Sequence, residues 1–598
     1  METLYHNGVL VPAQYEGKGL TVKVNGKEVK LTTKQEELAV AWAKKAGTPY
    51  IEDKVFASNF HKDFSKVLGI TVKAGDVDYS KIISLVEAER ERKKNLPREE
   101  KKQLAAERKV VRELNKEKYG YAYVDGERME LANYVAEPSS IFMGRGLHPM
   151  RGSWKKGPFK EEIILNLSDD APRPEGNWKE IVWEPNAIWV ARWQDKLSGK
   201  MKYVWFSDSC SFKQQKEIDK FDKAVEFRQK LPKVKRHILR NLESDNLKRR
   251  KIATVCFLID KLKIRVGDEK DPDEADTVGA STLRKEHIQI NGNESVSFNF
   301  LGKDSVPHIF TTKLPTMVIK NLEDFSSNTE SALFDGVGSS QVSEFLDEVM
   351  SGLSAKVFRT LYASDAVKNK LEKTSVEPEE PEYVKRYVAT MANLEAAKVC
   401  NHKRTISKTW NSSLQKKKDR LIVLKGRAKT AQTKIKQKMR DGIKKHEERM
   451  SKQLERLNAA ETKLENLKLQ MDTKKNGIKK VIAFKKRVKR QKETVTRQKQ
   501  RIKDMKTKQA ERMEKLKQTL EKRKLRDIMA KEKMKLKINV QKETKDYNVS
   551  TSLKSYIDPR IYYEWGKQVQ YDWKQYYAKS LHKKFSWLDN QDDKKRTN

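Results

Sequence analysis

The stretch 409–546, which contains no proline, restricts the possible folds of this chain more than any other feature of the sequence. Its apolar residues are sparse but regularly placed among lysines and arginines, at steps of three, four or seven: Leu454, Leu457, Leu464, Leu467 and Met471, then Val488, Val495 and Ile502. This spacing is typical of long helices that pair along an apolar seam, as in a coiled coil. A disordered Lys-rich linker is the alternative that the sequence alone leaves open.

Asn476-Gly477 falls near the middle of this stretch, and basic segments of similar length flank it. Asn and Gly accept the left-handed backbone that ends a helix, so the simplest structure is an antiparallel helical hairpin that turns at this point. Each arm of roughly 60 residues would extend about 90 Å, at a rise of about 1.5 Å per residue.

The positive charge of the protein is concentrated in the same region. The net charge is +43 over 598 residues, and 401–550 alone holds 50 Lys and Arg against 17 Asp and Glu, a net charge of +33. Such a field suits a polyanion, which is either nucleic acid or an anionic membrane surface. No window approaches the roughly 18 apolar residues of a membrane span, and the N-terminus lacks a signal-peptide pattern. We therefore expect a soluble intracellular protein that binds nucleic acid and no membrane.

The cysteines give no sign of a metal site or a disulfide framework. Cys210, Cys256 and Cys400 are far apart and lack paired spacing. This pattern fits a reducing compartment, and we expect all three to be ordinary buried residues.

The rest of the chain divides by pattern into three regions. Region 1–200 has short alternating runs typical of strands, with Asn25-Gly26 as a hairpin turn, and a charged stretch at 81–118 that favours solvated helix. Region 201–408 is richer in helix and is the best candidate for the largest core. Region 547–598 is abruptly aromatic, so we expect it to pack back on the main body.

Six motifs follow one another along the chain: "IFMGRGLHPMRGSWKKG", "DKLKIRVGDEKDPDEADTVGASTLRKEHI", "FNFLGKDS", "LSAKVFRTLYAS", "AAKVCNHKR" and "SYIDPR". In order and content they resemble the core and C-terminal motifs of the eukaryotic-type DNA topoisomerase I family, the type IB enzymes. The similarity extends from near residue 20 to the C-terminus, apart from the interior of the predicted hairpin. An ordered match of this kind is much more specific than any single motif.

The resemblance implies an active site of two arginines, a lysine, a histidine and a tyrosine. Matched motif by motif, these are Arg265, Lys303, Arg359, His402 and the nucleophile Tyr556. The family positions beside the DNA match Arg145, Asp304 and Ser555. Taken singly, each residue reads as an ordinary surface or polar group, and only their joint occurrence in the family motifs supports these roles. The family motif alone favours Tyr556 over Tyr562 and Tyr563.

These residue types fit the attack of a tyrosine on a phosphodiester. A phenol is mostly neutral at physiological pH, so the attack needs help from its surroundings. Guanidinium groups can meet the charge that builds on the non-bridging oxygens, and a histidine can add a further donor. A partly desolvated lysine can give the leaving 5′ oxygen its proton. No metal is needed for these steps.

The resemblance also implies a fold, which is a mixed α+β, two-lobed DNA clamp. Its parts are an α/β DNA-binding cap at 1–200, a mainly helical catalytic core of the tyrosine-recombinase-like type at 201–408, the basic hairpin linker at 409–546 and a small helical C-terminal domain at 547–598 that carries the nucleophile. The reaction would pass through a 3′-phosphotyrosyl bond, relax supercoils of either sign and reseal without ATP. No cofactor is required, and Mg²⁺ is left open as a stimulating ion.

The partner implied is double-stranded DNA, bound by a monomer, with the replication or transcription machinery as candidate protein partners. The protein would be chromosome-associated, in a eukaryotic nucleus or in the cytoplasm and nucleoid of an archaeon. Eukaryotic members usually carry a long charged N-terminal extension, which this sequence lacks, so an archaeal or otherwise shortened member fits.

Two departures from the family pattern stand out. The interval from His402 to Tyr556 is long for the family, so we expect an extended hairpin. Ser555 replaces the asparagine that usually precedes the nucleophile, beside the place where camptothecin-type inhibitors insert. Because serine offers one short hydroxyl in place of an amide, we expect an active enzyme with reduced camptothecin sensitivity.

Two other functions compete with this interpretation. A tyrosine recombinase uses a similar residue set, but the order and content of the cap motifs argue against it. A non-catalytic chromosomal scaffold could rely on the basic hairpin alone, yet it would have no use for the five residues of the implied active site.

Overall fold

The computed structural model describes residues 1–268, 277–303, 306–473 and 478–589. Its described residues fall into two compact units. The main unit contains Met1–Glu379, Met391–Thr405 and the chain from Tyr547 onward, and the long-helix unit contains Glu380–Thr390 and Ile406–Asp546. Within the described ranges, no helix is long and apolar enough to cross a membrane.

The first part of the main unit is built from small sheets and four helices. Its elements in chain order are β1 (Leu4–His6), β2 (Thr21–Val24), β3 (Lys27–Lys30), α1 (Thr33–Ala43), α2 (Lys54–Leu68), β4 (Val77–Asp78), α3 (Ser80–Asn95), α4 (Arg98–Tyr119), β5 (Tyr121–Val124), β6 (Glu127–Glu130), β7 (Ser140–Ile141), β8 (Trp154–Lys155), β9 (Ile164–Asn166), β10 (Glu180–Val182), β11 (Trp189–Gln194) and β12 (Met201–Trp205).

These strands form the sheets β3-β2-β4, β1-β5-β6, β7-β8 and β10-β9-β11-β12, where only the β9 and β10 pair is parallel. Val24 pairs with Lys27 across the turn between β2 and β3, and Asn25 and Gly26 both have positive φ, at 49° and 80°. This is the backbone that a two-residue hairpin requires, so the turn predicted from the Asn-Gly pair is confirmed.

The charged stretch at 81–118 is helical, as its composition predicted, but it forms two helices. Pro97 precedes the first residue of α4, and α3 ends at Asn95. Proline cannot continue a helix as an interior residue, which explains the break. None of the α4 residues is buried, so this helix is solvated along its whole length.

The second part of the main unit is mainly helical. Its elements in chain order are α5 (Ser211–Asn241), α6 (Leu247–Leu262), β13 (Ile288–Asn291), β14 (Ser295–Gly302), β15 (Val306–Lys313), α7 (Thr316–Ser327), α8 (Ser339–Asp347), α9 (Ala355–Glu372) and α10 (Glu382–Val399), whose first residues belong to the long-helix unit. The strands form one antiparallel sheet in the order β13-β14-β15.

The largest apolar cluster of the described residues runs from Ala224 to Leu361, where the sequence predicted the largest core. Helix α9 lies inside it, and the ring of Phe358 packs edge-on against Phe227 with 4.6 Å between the centroids. Truncating a fully buried phenylalanine to alanine costs about 3 to 5 kcal/mol. The packing of Phe358 therefore fixes the position of the neighbouring Arg359.

The long-helix unit consists mainly of α11 (Trp410–Thr473) and α12 (Ile478–Glu543), which confirms the prediction of long helices. Side-chain hydrogen bonds join Trp410 to the carbonyl of Gln541 and Gln491 to the carbonyl of Ala460, so the two helices run in opposite directions. The predicted turn at Asn476-Gly477 lies outside the described residues.

The seam between α11 and α12 follows the predicted heptads in part. Leu457, Ala460 and Val495 are buried there, with Leu464 and Ile502 packed against them. Leu454 is 44% exposed, so its inclusion in the seam was wrong. At that level the seam is occupied by Gln453, which lies one residue earlier on the helix and bonds to Gln498. A glutamine in place of an apolar residue weakens a seam but fixes its register.

The C-terminal part returns to the main unit as four short helices: α13 (Val549–Ser555), α14 (Pro559–Gln568), α15 (Trp573–Tyr576) and α16 (Lys579–Lys584). Most of its aromatic residues are buried, among them Tyr562, Trp573 and Phe585. Arg560 bonds to Asp222 of α5. The prediction that the aromatic tail packs on the main body is therefore confirmed.

Candidate active site

Three of the five residues implied by the motifs meet in one buried cluster of the main unit. Nη1 of Arg359 donates to the hydroxyl oxygen of Tyr556 at 3.0 Å, and its Nη2 lies 2.9 Å from Nε2 of His402. The Arg359 guanidinium also lies over the Tyr556 ring, 4.6 Å from its centroid. Arg359, His402 and Tyr556 are 3%, 6% and 8% exposed. In this low-dielectric setting, a cationic donor strongly stabilises negative charge on the tyrosine oxygen.

His402 is held by the turn that ends α10. Asn401 takes a left-handed backbone, with φ at 51°, and its side chain donates to the carbonyl of Leu262 at 3.3 Å. The amide of His402 donates to Ala397, and its carbonyl accepts from Asn548 at 2.6 Å. These bonds fix His402 between α10 and the segment that leads into α13.

The protonation state of His402 follows from its neighbours. Burial, reinforced by the positive charges of Arg359 and Arg265, lowers the pKa of His402 to about 3. The imidazole is therefore neutral at physiological pH. A guanidinium can only donate, so Nε2 accepts from Arg359, and Nδ1 carries the proton and donates to Ser552 Oγ at 2.7 Å.

Tyr556 lies between α13 and α14, and hydrogen bonds fix the backbone on both sides of it. It is the residue that caps α13, and its amide donates to the carbonyl of Ser552. On its other side, Ser364 of α9 donates to the Tyr556 carbonyl at 3.4 Å and accepts from the amide of Asp558 at 3.0 Å. Asp558 caps the start of α14 and pairs with Arg560. The backbone around the tyrosine is thus fixed to α9.

The neighbouring tyrosines have different surroundings. Tyr562 is fully buried on α14, with its ring 4.9 Å from that of Tyr576, and burial raises its pKa well above the ordinary value. Its position fits the packing role that tyrosines usually have. Of the tyrosines in this segment, Tyr556 is the one that contacts Arg359 and His402.

Arg265 lies in the extended segment that follows α6. Its backbone carbonyl accepts from Ala280 at 2.8 Å, and its side chain is half-buried. Its charge lowers the pKa values of both His402 and His308, as does the charge of Arg359. Arg265 therefore belongs to the same electropositive cluster as Arg359.

Lys303 follows the last residue of β14 and is exposed. The turn that carries it starts at Gly302, which pairs with Val306, and a Cβ on Gly302 would lie 2.4 Å from Nε2 of His308. Glycine is therefore required at that position. Asp304, one residue further on, lies outside the described residues.

His308 is a residue of this region that the motifs did not point to. Its ring stacks on Phe300 at 5.1 Å, and burial, reinforced by charges that include Arg359 and Arg265, lowers its pKa to about 4. Its Nδ1 is buried without a hydrogen-bond partner among the described residues. Only the pairing of β14 with β15 brings His308 against Gly302, the residue before Lys303, so no local sequence signal could have identified it.

Arg145 and Ser555, which the motifs assign to DNA contact, lie in different parts of the main unit. Arg145 is exposed in a loop after β7, between Gly144 and Gly146, which both have positive φ. Ser555 is half-buried directly before Tyr556, and its carbonyl accepts from Lys220 of α5 at 3.4 Å.

The described ranges contain no group of three or more His, Cys, Asp or Glu side chains placed to hold a metal ion. Cys210, Cys256 and Cys400 are free and buried, as the sequence predicted. The Sγ of Cys400 contacts the carbonyl of Arg359, whose Nη2 in turn donates to the Cys400 carbonyl at 2.7 Å. This cysteine supports the arginine by packing.

Comparison with known protein families defines the class of the chain. The family model for the DNA-binding fragment of eukaryotic DNA topoisomerase I matches residues 1–206, and the model for its catalytic core matches 209–439. The model of the C-terminal topoisomerase domain matches 530–595. The three matches occur in the order that the six motifs predicted.

Individual relatives agree with these matches. The chain is 36% identical over 426 residues to DNA topoisomerase 1 beta of Arabidopsis thaliana, which covers 69% of this chain and 46% of that protein. It is 32% identical over 633 residues to DNA topoisomerase 1 of Candida albicans, covering 98% and 78%, and 30% identical over 610 residues to the Homo sapiens protein, covering 98% and 70%. The chain belongs to the eukaryotic DNA topoisomerase I family, as its motifs predicted. It spans about half the length of the Arabidopsis relatives, at 46% and 58%.

Proposed function

We propose that this protein is a type IB DNA topoisomerase. It nicks one strand of duplex DNA through a transient 3′-phosphotyrosyl bond, lets the strand rotate and reseals it. The observation that carries the proposal is the buried contact of Arg359 with the hydroxyl of Tyr556, beside His402. A cationic donor against the phenol oxygen orients that oxygen and lies where negative charge builds during the attack.

The reaction uses groups of this chain alone. The Tyr556 hydroxyl loses its proton to solvent as its oxygen attacks phosphorus, the bond to the 5′ oxygen breaks, and Lys303 supplies a proton to that leaving oxygen. Arg265, Arg359 and His402 bind the non-bridging oxygens. The phosphotyrosine ester keeps the energy of the broken phosphodiester, so the 5′ hydroxyl reverses the step without ATP. No cofactor is required, and Mg²⁺ acts at most as a stimulating ion.

Two features of the site bear on these roles. Nε of Arg359 is buried and has no hydrogen-bond partner among the described residues, which is costly unless an incoming phosphate oxygen accepts from it. His402 is neutral with Nε2 as the acceptor, so it becomes a donor to the phosphate only when Nε2 gains a proton. The negative charge of the phosphate favours that protonation.

The DNA would be held between a cap at 1–200 and the catalytic core at 201–408. The basic helices at 409–546 act as the linker, and 547–598 carries the nucleophile, while Arg145, Asp304 and Ser555 serve as DNA contacts. The concentration of positive charge in the linker and the DNA-binding family model at 1–206 support double-stranded DNA as the partner. We propose a chromosome-associated monomer, in the nucleus of a eukaryotic cell.

The competing functions are not favoured. The region at 1–206 matches a topoisomerase DNA-binding fragment, which argues against a tyrosine recombinase. The convergence of Arg359, His402 and Tyr556 argues against a scaffold, because a structural protein gains nothing from burying a guanidinium against a tyrosine hydroxyl.

Relaxation of a supercoiled plasmid in EDTA and without ATP tests the proposal. The wild-type protein should relax both negatively and positively supercoiled DNA. Tyr556→Phe should bind duplex DNA but lose relaxation and covalent capture, because only one hydroxyl is removed. Absence of relaxation by the wild type, or a covalent adduct that persists in Tyr556→Phe, would overturn the proposal.

A further inference from the structure

The C-terminal end of α13 carries an arrangement of charges that the chemistry above does not use. The carbonyl of Ser555 accepts from Nζ of Lys220 on α5 at 3.4 Å, and the carbonyl of Lys554 accepts from Nζ of Lys584 on α16 at 3.3 Å. The last carbonyls of a helix lack intrahelical donors and carry partial negative charge. Two lysines, from distant parts of the chain, thus bind the two carbonyls directly before Tyr556.

A single carboxylate connects the two lysines. Glu217 of α5 lies 2.6 Å from Nζ of Lys220 and 3.2 Å from Nζ of Lys584. The side chains of Lys220 and Lys584 are only 15% and 7% exposed. Burying two ammonium groups against one carboxylate costs free energy that a surface ion pair would avoid. Stabilisation of the fold therefore does not explain this cluster of Glu217, Lys220 and Lys584. Its position beside Tyr556 suggests a role in the reaction.

We propose that Lys220 and Lys584, joined by Glu217, are positioning residues that hold the backbone of Tyr556 in register with Arg359 and His402. The inference rests on the proposed role of Tyr556 as the nucleophile. The position of the tyrosine oxygen depends on the backbone at 554–556, and a misplacement of about 1 Å can slow a reaction about a hundredfold. Ser364 binds the carbonyl of Tyr556 itself. The two lysines bind the carbonyls of the two residues before it.

The charges around Lys220 make this role dependent on pH. Burial, with smaller contributions from the charges of Lys584 and Lys356, lowers the pKa of Lys220 to about 8, although Glu217 opposes the shift. Below about pH 8 the side chain is an ammonium that binds the Ser555 carbonyl strongly. Above that pH it is a neutral amine, whose hydrogen bond is weaker. Arginine at this position would stay charged throughout.

The test measures single-turnover cleavage of a duplex whose cut strand ends just past the scissile phosphate, so that resealing cannot occur. Lys220→Met and Lys584→Met should cleave about ten to a hundred times more slowly than wild type at saturating DNA. Lys216→Met, an exposed lysine on the same helix, is the matched control for charge loss and should cleave at the wild-type rate.

A pH series separates positioning from general stability. The ratio of the wild-type rate to the Lys220→Arg rate should be constant below about pH 8 and fall above it, because the two proteins differ only in the side chain at position 220. A flat ratio, or rates for both methionine variants that match Lys216→Met, would overturn the inference. If Lys584→Met does not fold, the pH dependence of the ratio between the wild-type and Lys220→Arg rates still tests the inference. Loss of relaxation in the wild type would instead refute the proposed function.

Discussion

The bond between His402 and Ser552 gives the sharpest test of the site geometry. We expect Ser552→Ala to leave the Nδ1 proton of His402 buried without a partner, because Ser552 is fully buried and Nε2 is already occupied by Arg359. An unsatisfied buried donor costs about 1 to 3 kcal/mol. If the whole cost appears in the barrier to cleavage, the rate falls about 5-fold to 150-fold.

A double-mutant cycle measures whether the cost belongs to this pair. Ser552→Ala, His402→Ala, the double variant and wild type are compared by urea unfolding, followed by tryptophan fluorescence, and by single-turnover cleavage. In the His402→Ala background, Ser552→Ala should cost at least about 1 kcal/mol less than in wild type, because the donor is already absent. Thr551→Ala, on the same helix, is the control for a lost hydroxyl and should have little effect.

A Ser552→Ala protein that cleaves and unfolds like wild type would contradict the assigned bond between His402 and Ser552. An equal free-energy cost of Ser552→Ala in the wild-type and His402→Ala backgrounds would also contradict it, because the two side chains would then act independently. Either result would mean that the Nδ1 proton is not directed at Ser552, and the neutral tautomer assigned to His402 would be wrong.

Three further predictions follow from the same structure. Lys303→Ala should cleave ordinary DNA slowly. Its cleavage rate should recover on a substrate whose leaving 5′ oxygen is replaced by sulfur, because a thiolate leaves without a proton. Equal rates of the variant on both substrates would exclude Lys303 as the acid. Replacing 443–508 with a short turn, at the level where Gln509 bonds to the Gly442 carbonyl, removes 23 Lys and Arg and 8 Asp and Glu. It should make the salt dependence of DNA binding shallower and leave cleavage intact, and an unchanged slope would mean that these lysines face no phosphate. Ser555→Asn should increase camptothecin-trapped cleavage about threefold to tenfold at equal activity, in line with about 0.5 to 1.5 kcal/mol for one hydrogen bond, and equal trapping would refute this.

The helical part of the fold could be predicted because its causes are local. The heptad spacing of Leu457, Leu464, Val495 and Ile502 follows from the geometry of a helix, and these residues do meet in the seam. The Asn25-Gly26 turn is equally local. The exposure of Leu454 was not predictable in this way, because which face of a long helix meets its neighbour depends on the register of the pair.

The candidate site was predicted as a set of residues but not as an arrangement. Family motifs named Tyr556, and nothing in the local sequence separated it from Tyr562. The structure does so, because Tyr556 contacts Arg359 and His402, whereas Tyr562 is buried on α14 against Tyr576. Burial and neighbouring charge, which depend on packing, also decide that His402 is neutral.

The sequence by itself determined the two long helices, the Asn25-Gly26 turn, the location of the positive charge and the family. These properties depend on interactions over a few residues, or on motifs whose order can be read directly. Only the tertiary structure decided that Ser552 orients His402 and that Lys220 binds the Ser555 carbonyl, contacts that join residues 150 and 335 positions apart. Such contacts depend on how α5, α9, α10 and α13 pack together, and the free energy of that packing is spread over the whole core and is not encoded in any one motif.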